Sequence, residues 1–239
     1  MRLVLVRHGQ TPSNVVRALD TALPGAPLDE VGTSQAQALA RNWDSIVGSE
    51  PDLVAVSPLT RTRQTAQPLL ERFNLTPQLD ERLREVIAGD LEMRSDLPSV
   101  EKYLQVVFDW ISGQLDTRMP GAEDGHETLA RLHAGVDAAV QAARVQYPDR
   151  DDLTVVVVAH GVVCRLLANT LAQNVPAALV ANFPMHNATT TVLESTDGKK
   201  WRALSWSDEP IESFDLQGLA SVPVVSGLRQ GTLDSLEDR

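Results

Sequence analysis

Cysteine is nearly absent from this chain of 239 residues: Cys164 is its one cysteine, which excludes an intramolecular disulfide and a multi-cysteine metal site. Long apolar runs are lacking too, since none approaches the roughly 20 residues that a membrane-spanning helix needs. The run Met1–Val6 is too short for the core of a signal peptide. These features predict a cytoplasmic protein without a membrane partner.

Basic residues are also scarce. The chain has 21 Lys and Arg against 32 Asp and Glu, which gives a formal net charge of −11. A field of this sign repels nucleic acid and anionic membranes, so we expect neither as a partner. An anionic ligand would have to be held by a local cluster of positive groups, and a small molecule is the expected partner.

What the chain does contain is an alternation of short aliphatic runs and helical patterns. Its hydrophobic share of 43% and charged share of 22% are typical of a folded globular protein. The predicted strands are Arg2–Val6, Leu53–Ser57, Leu153–Ala159 and Thr189–Glu194. The predicted helices are Thr33–Val47, Thr60–Phe73, Leu97–Leu115, Glu127–Gln146 and Val162–Gln173. Because near-continuous apolar strands suit burial on both faces, we expect an α/β sandwich.

The domain organisation follows from the same alternation. A chain of this length suits one domain with an insertion better than two independent domains. We assign residues 1–207 to a single α/β domain, in which the stretch of about 86–120 predicts a mostly helical insertion over one edge of the sheet. Residues 208–239 have fewer large apolar side chains, which is typical of a tail or cover segment.

Side chains that can take part in catalysis or ligand binding follow three of the predicted strands. Arg7-His8-Gly9 follows the first strand, Arg61 lies shortly after the second, and His160-Gly161 follows the third. In open α/β sheets, ligands bind beyond the carboxyl ends of the strands. We therefore expect two imidazoles and two guanidiniums to meet at one end of the sheet.

A phosphoryl group is the ligand that this combination suits. Its oxygens carry spread negative charge in the transition state, and guanidiniums, an imidazole and backbone N–H groups stabilise such charge. Arg7, Arg61, His160 and the N–H of Gly161 meet that need. A neutral imidazole can then attack phosphorus without first losing a proton, and His8 is the candidate nucleophile.

A carboxyl group is also needed, first as an acid for the leaving alkoxide and then as a base for water. Glu85, at the start of the predicted insertion, is the best placed by sequence. No metal site is expected, because the histidines lack i, i+4 pairing on a helix and have no cysteine partners.

A string of separated motifs in this order resembles the histidine phosphatase superfamily, the group that contains cofactor-dependent phosphoglycerate mutase. The resemblance covers residues 3 to about 195. The segments that carry it are Leu5–Thr11, Asn14, Leu28–Gly32, Ser57–Ala66, Leu83–Glu85, Pro120–Glu123, Ala159–Gly161 and Asn187. It implies a mixed, mostly parallel sheet flanked by helices on both faces, as in the phosphoglycerate mutase-like sandwich, with neither a metal nor a cofactor.

The resemblance also assigns roles to residues. It implies a covalent phosphohistidine on His8, with Glu85 as the proton donor. Three side chains are implied as phosphate ligands: Arg7, Arg61 and His160. Three others are implied at the entrance of the same pocket: Gln10, Thr11 and Asn14.

This chain departs from the family pattern at several positions. Gln10 stands where the family usually has glutamate, and Met93 follows Glu92 where a glycine is usual. Asp20 stands where a small polar or amide residue is often found. Because a carboxylate there would repel a phosphate, we expect Asp20 either to point away or to bind a hydroxyl or cation of the substrate.

Three functions are compatible with these residues. The leading hypothesis is a phosphatase acting on a small phosphorylated molecule, and a phosphoglycerate mutase-type transfer is the alternative. A mutase needs an extra basic cluster in the insertion, where Arg94, Lys102 and Arg118 are scattered instead. A non-catalytic phosphate-binding module is disfavoured because every essential group is present. The substrate and the oligomeric state stay open, with a homodimer as the working prediction.

Other charged residues have simpler interpretations. Arg63 and Arg165 lie within predicted helices and are assigned to ion pairing. Glu123 follows a Pro-Gly turn, so capping of the next helix and a role in the active site are equally compatible with it.

Overall fold

A six-stranded sheet with helices on both faces forms the centre of the molecule in this computed structural model, which describes residues 1–220. The strands are β1 Arg2–Arg7, β2 Leu53–Val56, β3 Gln78–Leu79, β4 Thr154–Ala159, β5 Thr190–Glu194, β6 Arg202–Ala203, β7 Ser205–Trp206 and β8 Glu209–Pro210. The helices are α1 Pro12–Val15, α2 Glu30–Ile46, α3 Thr60–Phe73, α4 Leu97–Ile111, α5 Gly125–Gln146, α6 Gly161–Leu171, α7 Ala177–Asn182 and α8 Leu216–Ala220.

The sheet is mixed and mostly parallel, as predicted. Its strand order is β3-β2-β4-β1-β5-β6, and β7 and β8 form a separate two-stranded ribbon. Strands β2, β3, β4 and β1 run parallel, whereas β5 and β6 follow in antiparallel pairing. In the central pair, Arg7 at the end of β1 lies opposite Ala159 at the end of β4. The two segments that leave these strands therefore start side by side.

Apolar side chains cover both faces of the central strands. Along β1, Leu3 and Leu5 belong to one buried cluster and Val4 and Val6 to another, as expected from the two-residue period of a strand. Helices α4, α5 and α6 supply the first cluster, and α2 and α3 supply the second. The near-continuous apolar runs thus reflect strands buried on both sides.

Some helix boundaries differ from the predictions. Helix α2 begins at Glu30 rather than at Thr33, because the carboxylate of Asp29 accepts a hydrogen bond from the N–H of Gly32 at 2.7 Å. Helix α4, the main element of the insertion, ends at Ile111 instead of Leu115. The bounds of α3 agree with the prediction.

The start of the predicted tail lies against the rest of the molecule. Ile211 is buried, and the ring of Phe214 packs edge-on against Phe183 with the ring centroids 4.9 Å apart. The remainder of the predicted tail, residues 221–239, lies outside the described residues. Within the described part of the chain, no helix combines the length and the apolar character that crossing a bilayer requires.

Candidate active site

The two histidines of the predicted cluster lie side by side beyond strands β1 and β4. The N–H of His8 donates to the carbonyl oxygen of Ala159, the last residue of β4, at 3.0 Å. His160 follows Ala159 directly, and the ring centroids of His8 and His160 are 5.4 Å apart in an edge-on arrangement. Adjacent parallel strands therefore bring together two residues that are far apart in the chain.

The proton of the His8 ring is fixed by the backbone. Its Nδ1 lies 2.7 Å from the carbonyl oxygen of Gly9, and because a carbonyl only accepts, Nδ1 carries the proton and donates. The other nitrogen, Nε2, accepts a hydrogen bond from Nε of Arg61 at 3.1 Å. Burial, followed by the charges of Arg61 and Arg7, lowers the pKa of His8 well below its ordinary value. His8 is thus a neutral imidazole with its lone pair on Nε2.

Arg61 lies in the first turn of α3 and is 3% exposed. Its NH2 group donates to the carbonyl oxygen of Asp20 at 2.8 Å, and NH1 lies 3.8 Å from the Asp20 carboxylate. That carboxylate also accepts from the hydroxyl of Ser13 at 2.8 Å and from the N–H of Ala26 at 2.9 Å. Asp20 therefore orients a buried guanidinium from within the cavity wall.

His160 is fully buried and stands at the start of α6. Its Nε2 lies 2.7 Å from the hydroxyl oxygen of Ser57, the residue that follows β2. Its Nδ1 is buried and has no hydrogen-bond partner among the described residues. Burial, with Arg61 as the largest charge contribution, lowers the pKa of His160 well below its ordinary value.

Glu85 is the buried carboxyl group of the site, with 8% of its surface exposed. Its Oε1 accepts a hydrogen bond from the N–H of Val86 at 2.9 Å. Burial raises the pKa of Glu85, against the opposite effects of that hydrogen bond and of Arg61 and Arg7. The carboxyl therefore holds its proton at a higher pH than an exposed glutamate does.

Gly161 permits a close approach between the first turn of α6 and Arg7. A Cβ atom at this position would lie 3.2 Å from Nε of Arg7, tighter than most real contacts. Arg7 is also held by a hydrogen bond from its NH1 group to the carbonyl oxygen of Met185. The guanidinium of Arg7 and the N-terminus of α6 thus face the same space, where a phosphate can contact both.

One cavity of about 140 Å³ joins these groups. Of the predicted site residues, its wall includes the following: Arg7, His8, Thr11, Asn14, Asp20, Arg61, Glu85 and Gly161. His160 lies beside His8 without being part of the wall. The capping hydrogen bonds of α1, in which Asn14 Oδ1 accepts from the Thr11 N–H at 3.0 Å, hold Thr11 and Asn14 together in the wall.

The structure does not bring Gln10 into this wall, which corrects the expectation that it lines the entrance. Its side-chain amide donates to the carboxylate of Asp29 at 2.9 Å, and its backbone N–H donates to the side chain of Gln35 at 2.8 Å. The backbone here is pressed against α2, since a Cβ at Gly32 would lie 2.1 Å from the Gln10 carbonyl oxygen. Gln10 is therefore part of the contact between α2 and the segment that follows β1.

Other residues line the cavity that the sequence analysis did not assign to it, among them Arg17, Tyr103 and Arg165. Arg165 follows Gly161 by four positions on α6, so helical spacing alone places both on one face. Arg17 follows α1 with a positive φ of 57°, a turn that no motif in the sequence indicates.

Glu123, for which capping was considered, does not cap α5. The N-terminal capping residue of α5 is Asp124, whose carboxylate accepts from the N–H of Glu127 at 2.9 Å. Glu123 bonds instead to Arg84 and Arg131 outside the cavity wall. Among residues 1–220, no group of three or more His, Cys, Asp or Glu side chains is arranged to hold a metal ion.

Two guanidiniums and the imidazole of His8, with His160 beside it, lie at one cavity of an α/β fold, which is an arrangement suited to enzymes that act on phosphoryl groups. The chain belongs to the histidine phosphatase superfamily (branch 1), whose family model matches residues 3–209. The resemblance given by the motifs is thereby confirmed.

The chain is similar to several known proteins and solved structures. The chain is 30% identical over 91% of its length to PE-PGRS family protein PE_PGRS11 of Mycobacterium tuberculosis, but spans 37% of that protein. It is 28% identical to a probable phosphoglycerate mutase GpmB of Yersinia pestis, covering 86% of this chain and 90% of that one. A solved mycobacterial glucosyl-3-phosphoglycerate phosphatase is 32% identical, with a TM-score of 0.68 and coverage of 86% and 98%.

Proposed function

We propose that this protein is a phosphatase that hydrolyses a small phosphomonoester through a phosphohistidine intermediate on His8. The observation that carries the proposal is the orientation of the His8 ring. The Gly9 carbonyl oxygen holds the proton on Nδ1, while Nε2 faces the guanidinium of Arg61 at 3.1 Å. The nitrogen with the lone pair is thus the one beside the groups that would bind a phosphate.

In the first step, Nε2 of His8 attacks phosphorus and the bond between phosphorus and the ester oxygen breaks. The leaving alkoxide takes a proton from Glu85, a carboxyl group whose pKa is raised by burial. Arg7 and Arg61 stabilise the charge on the transferred phosphoryl oxygens, together with the Gly161 N–H. His160 contributes Nδ1 as a further donor when its proton is on that nitrogen.

In the second step, the Glu85 carboxylate takes a proton from a water molecule as that water attacks phosphorus. The bond between phosphorus and Nε2 breaks, inorganic phosphate forms, and His8 returns to its neutral form. Glu85 is protonated again, so both groups regain their starting states. No metal ion enters either step, because the guanidiniums perform the charge neutralisation.

The basic residues of the insertion favour hydrolysis over mutase activity. Arg94 pairs with Asp96 at 2.7 Å, and Arg118 pairs with Asp124 at 2.5 Å, both at exposed positions. These arginines and Lys102 are absent from the residues that line the cavity. A bound bisphosphate would find no extra basic cluster from this segment.

The similarity to a glucosyl-3-phosphoglycerate phosphatase supports the same reaction class. A small acidic or sugar phosphate is the substrate class that we propose. We also propose a cytoplasmic location, since the buried Cys164 leaves no disulfide on which stability depends. Association as a homodimer stays a prediction.

The test is to measure phosphate release from a panel of metabolites, with 3-phosphoglycerate plus 2,3-bisphosphoglycerate included to detect isomerisation. His8→Ala should abolish release, whereas Glu85→Gln should accumulate an acid-labile phosphoenzyme because the water is no longer activated. His126→Ala is the matched control, since this side chain is 63% exposed and outside the cavity wall. Full activity of His8→Ala would refute the nucleophile, and isomerisation outrunning release would refute the hydrolase.

A further inference from the structure

The guanidinium of Arg7 is held by a part of the chain that is neither helix nor strand. Its NH1 group donates to the carbonyl oxygen of Met185, which lies in the connection 183–189 between α7 and β5. The far end of this connection is bonded to the end of β1, where the N–H of Ala188 donates to the Arg7 carbonyl oxygen at 3.0 Å. Met185 lies three residues before Ala188, so its position requires further contacts.

The β7–β8 ribbon makes those contacts on both sides of Met185. Nε1 of Trp206 donates to the carbonyl oxygen of Pro184 at 3.0 Å. The hydroxyl oxygen of Ser207 accepts a hydrogen bond from the N–H of His186 at 2.9 Å. That N–H and the Met185 carbonyl belong to one planar peptide group. Ser207 and Arg7 therefore bind opposite ends of the same peptide group.

The hydrogen of the Ser207 hydroxyl can also be assigned. The Thr189 hydroxyl donates to the carbonyl oxygen of His186 at 2.8 Å, which uses its one hydrogen. In the 2.8 Å contact between the Thr189 and Ser207 hydroxyls, Ser207 is therefore the donor. Because Ser207 is only 7% exposed, water competes little for either bond. Ser207 thus holds the connection at two points, one on each side of Asn187.

The backbone at this turn is one that glycine would adopt more easily. Ser207 and Asp208, the two residues between β7 and β8, have positive φ values of 50° and 69°. Residues other than glycine in this region carry strain, and such strain is often found at functional positions. Both side chains bond to the neighbouring chain, since the Asp208 carboxylate accepts from the N–H of Thr190 at 2.7 Å. The turn therefore retains two side chains at a conformational cost.

We propose that Ser207 is a positioning residue for phosphate binding, which fixes the peptide group between Met185 and His186 and thereby holds Arg7 at the cavity. This proposal rests on the proposed function, since that function gives Arg7 the phosphoryl oxygens to bind. Arg7 is among the residues that line the cavity and Ser207 is not, so Ser207 acts through the peptide group. A guanidinium that is already in place binds phosphate without a further loss of conformational entropy.

The variant Ser207→Gly separates positioning from folding. Glycine adopts a positive φ without strain, so the turn should still form, whereas the hydroxyl that holds the connection is lost. Ser207→Ala loses the same hydroxyl and keeps the strain, so it should be the less stable of the two. Asn74→Gly is the matched control, because Asn74 has a φ of 51°, is exposed at the end of α3 and lies outside this cavity wall.

Binding of inorganic phosphate is measured by calorimetry, and thermal unfolding is measured on the same proteins. Both Ser207 variants should bind phosphate more weakly than the wild type by about 3- to 10-fold, the range of one lost hydrogen bond. Their two affinities should agree although their unfolding temperatures differ. Asn74→Gly should bind phosphate as the wild type does.

Nitrogen-15 NMR of the arginine Nε–H groups shows whether the effect passes through Arg7. The Nε atoms of Arg7 and Arg61 are buried, so their hydrogens exchange slowly with water. Each signal is assigned by its loss in Arg7→Met or Arg61→Met. In Ser207→Gly the Arg7 signal should shift or broaden, whereas the Arg61 signal should stay in place because its Nε donates to His8.

The proposal would be overturned by wild-type phosphate affinity in Ser207→Gly, by an unchanged Arg7 signal, or by the absence of phosphate binding in the wild type. Weaker binding in Ser207→Ala alone would also overturn it, since the affinity would then follow the stability of the turn. Failure of the proposed function would appear differently, as an absence of phosphate release from every ester by a wild-type protein that binds phosphate.

Discussion

Arg131 binds the carboxylate of Glu123 through two nitrogens: NH2 donates to Oε2 at 2.7 Å and Nε donates to Oε1 at 3.0 Å. The remaining NH1 group donates to the carbonyl oxygens of Arg82 at 2.7 Å and Arg84 at 2.9 Å. Arg84 in turn donates to Glu123 at 2.7 Å. This network fixes the backbone immediately before Glu85, and with it the position of the proposed acid.

Replacing Arg131 should therefore affect both stability and catalysis. Arg131→Met removes one of the two guanidinium partners of a largely buried carboxylate and the side-chain donor of two carbonyl oxygens, which should lower the free energy of unfolding by about 2–3 kcal/mol. We expect kcat to fall while KM changes little, because Glu85 acts on the leaving group rather than on binding. Urea denaturation and steady-state kinetics measure the two effects.

Arg118→Met is the control for this prediction. Arg118 also pairs with two carboxylates, but its side chain is 52% exposed and its ion pairs are screened by solvent, so its removal should change stability much less. A destabilised Arg131→Met protein with the kcat of the wild type would show that the network supports the fold without positioning Glu85.

The pKa shifts of His8 and Glu85 predict how activity depends on pH. The reactive form needs a neutral His8 and a protonated Glu85. With ordinary pKa values these two states would scarcely coexist, because histidine loses its proton near pH 6.5 and glutamate loses its own near 4.5. Burial lowers the pKa of His8 and raises that of Glu85, so both shifts increase the fraction of molecules in which the two groups are in the required state.

We therefore expect a bell-shaped profile of kcat/KM. In the free enzyme, the acidic limb should follow the titration of His8, below pH 6.5. The alkaline limb should follow the titration of Glu85, above pH 4.5. Glu85→Gln should lose the alkaline limb of the residual activity, since glutamine has no proton to lose. An alkaline limb that survives in Glu85→Gln would assign it to another group.

The centre of this site could be predicted from the sequence because its position depends on few assumptions. Apolar strands β1 and β4 had to be buried, and parallel strands place their carboxyl ends at one edge. His8, Arg61 and His160 follow such strands closely, so their grouping required no knowledge of loops. Buried strands thus made the proposed catalytic centre the most predictable part of the molecule.

The periphery was less predictable because it depends on contacts between distant segments. The Gln10 side chain is held by Asp29, which caps α2, and its backbone N–H by Gln35 within α2, contacts that periodicity does not reveal. Arg17 reaches the cavity through a left-handed turn, a conformation that arginine seldom adopts. Asp29 displaced the predicted start of α2 because a local side-chain cap outweighed the apolar pattern.

Ser57 should determine which nitrogen of His160 carries the proton. The Ser57 hydroxyl lies 2.7 Å from Nε2, whereas Nδ1 is buried without a described partner. If the hydroxyl donates to Nε2, the neutral ring carries its proton on Nδ1, which is then available to a phosphate oxygen. In the opposite arrangement Nδ1 would repel that oxygen, so catalysis favours the first.

Ser57→Ala removes this control and leaves Nε2 buried without a donor. We expect kcat/KM to fall by about 5- to 100-fold, the equivalent of the roughly 1–3 kcal/mol that a lost buried hydrogen bond costs. Nitrogen-15 NMR of the histidine rings should show the His160 proton on Nδ1 in the wild type and a mixture of tautomers in the variant. Ser45→Ala, at an exposed hydroxyl on α2, should change neither measurement. A wild-type spectrum with the proton on Nε2 would contradict the assignment, because Nδ1 would then have no hydrogen to donate to phosphate.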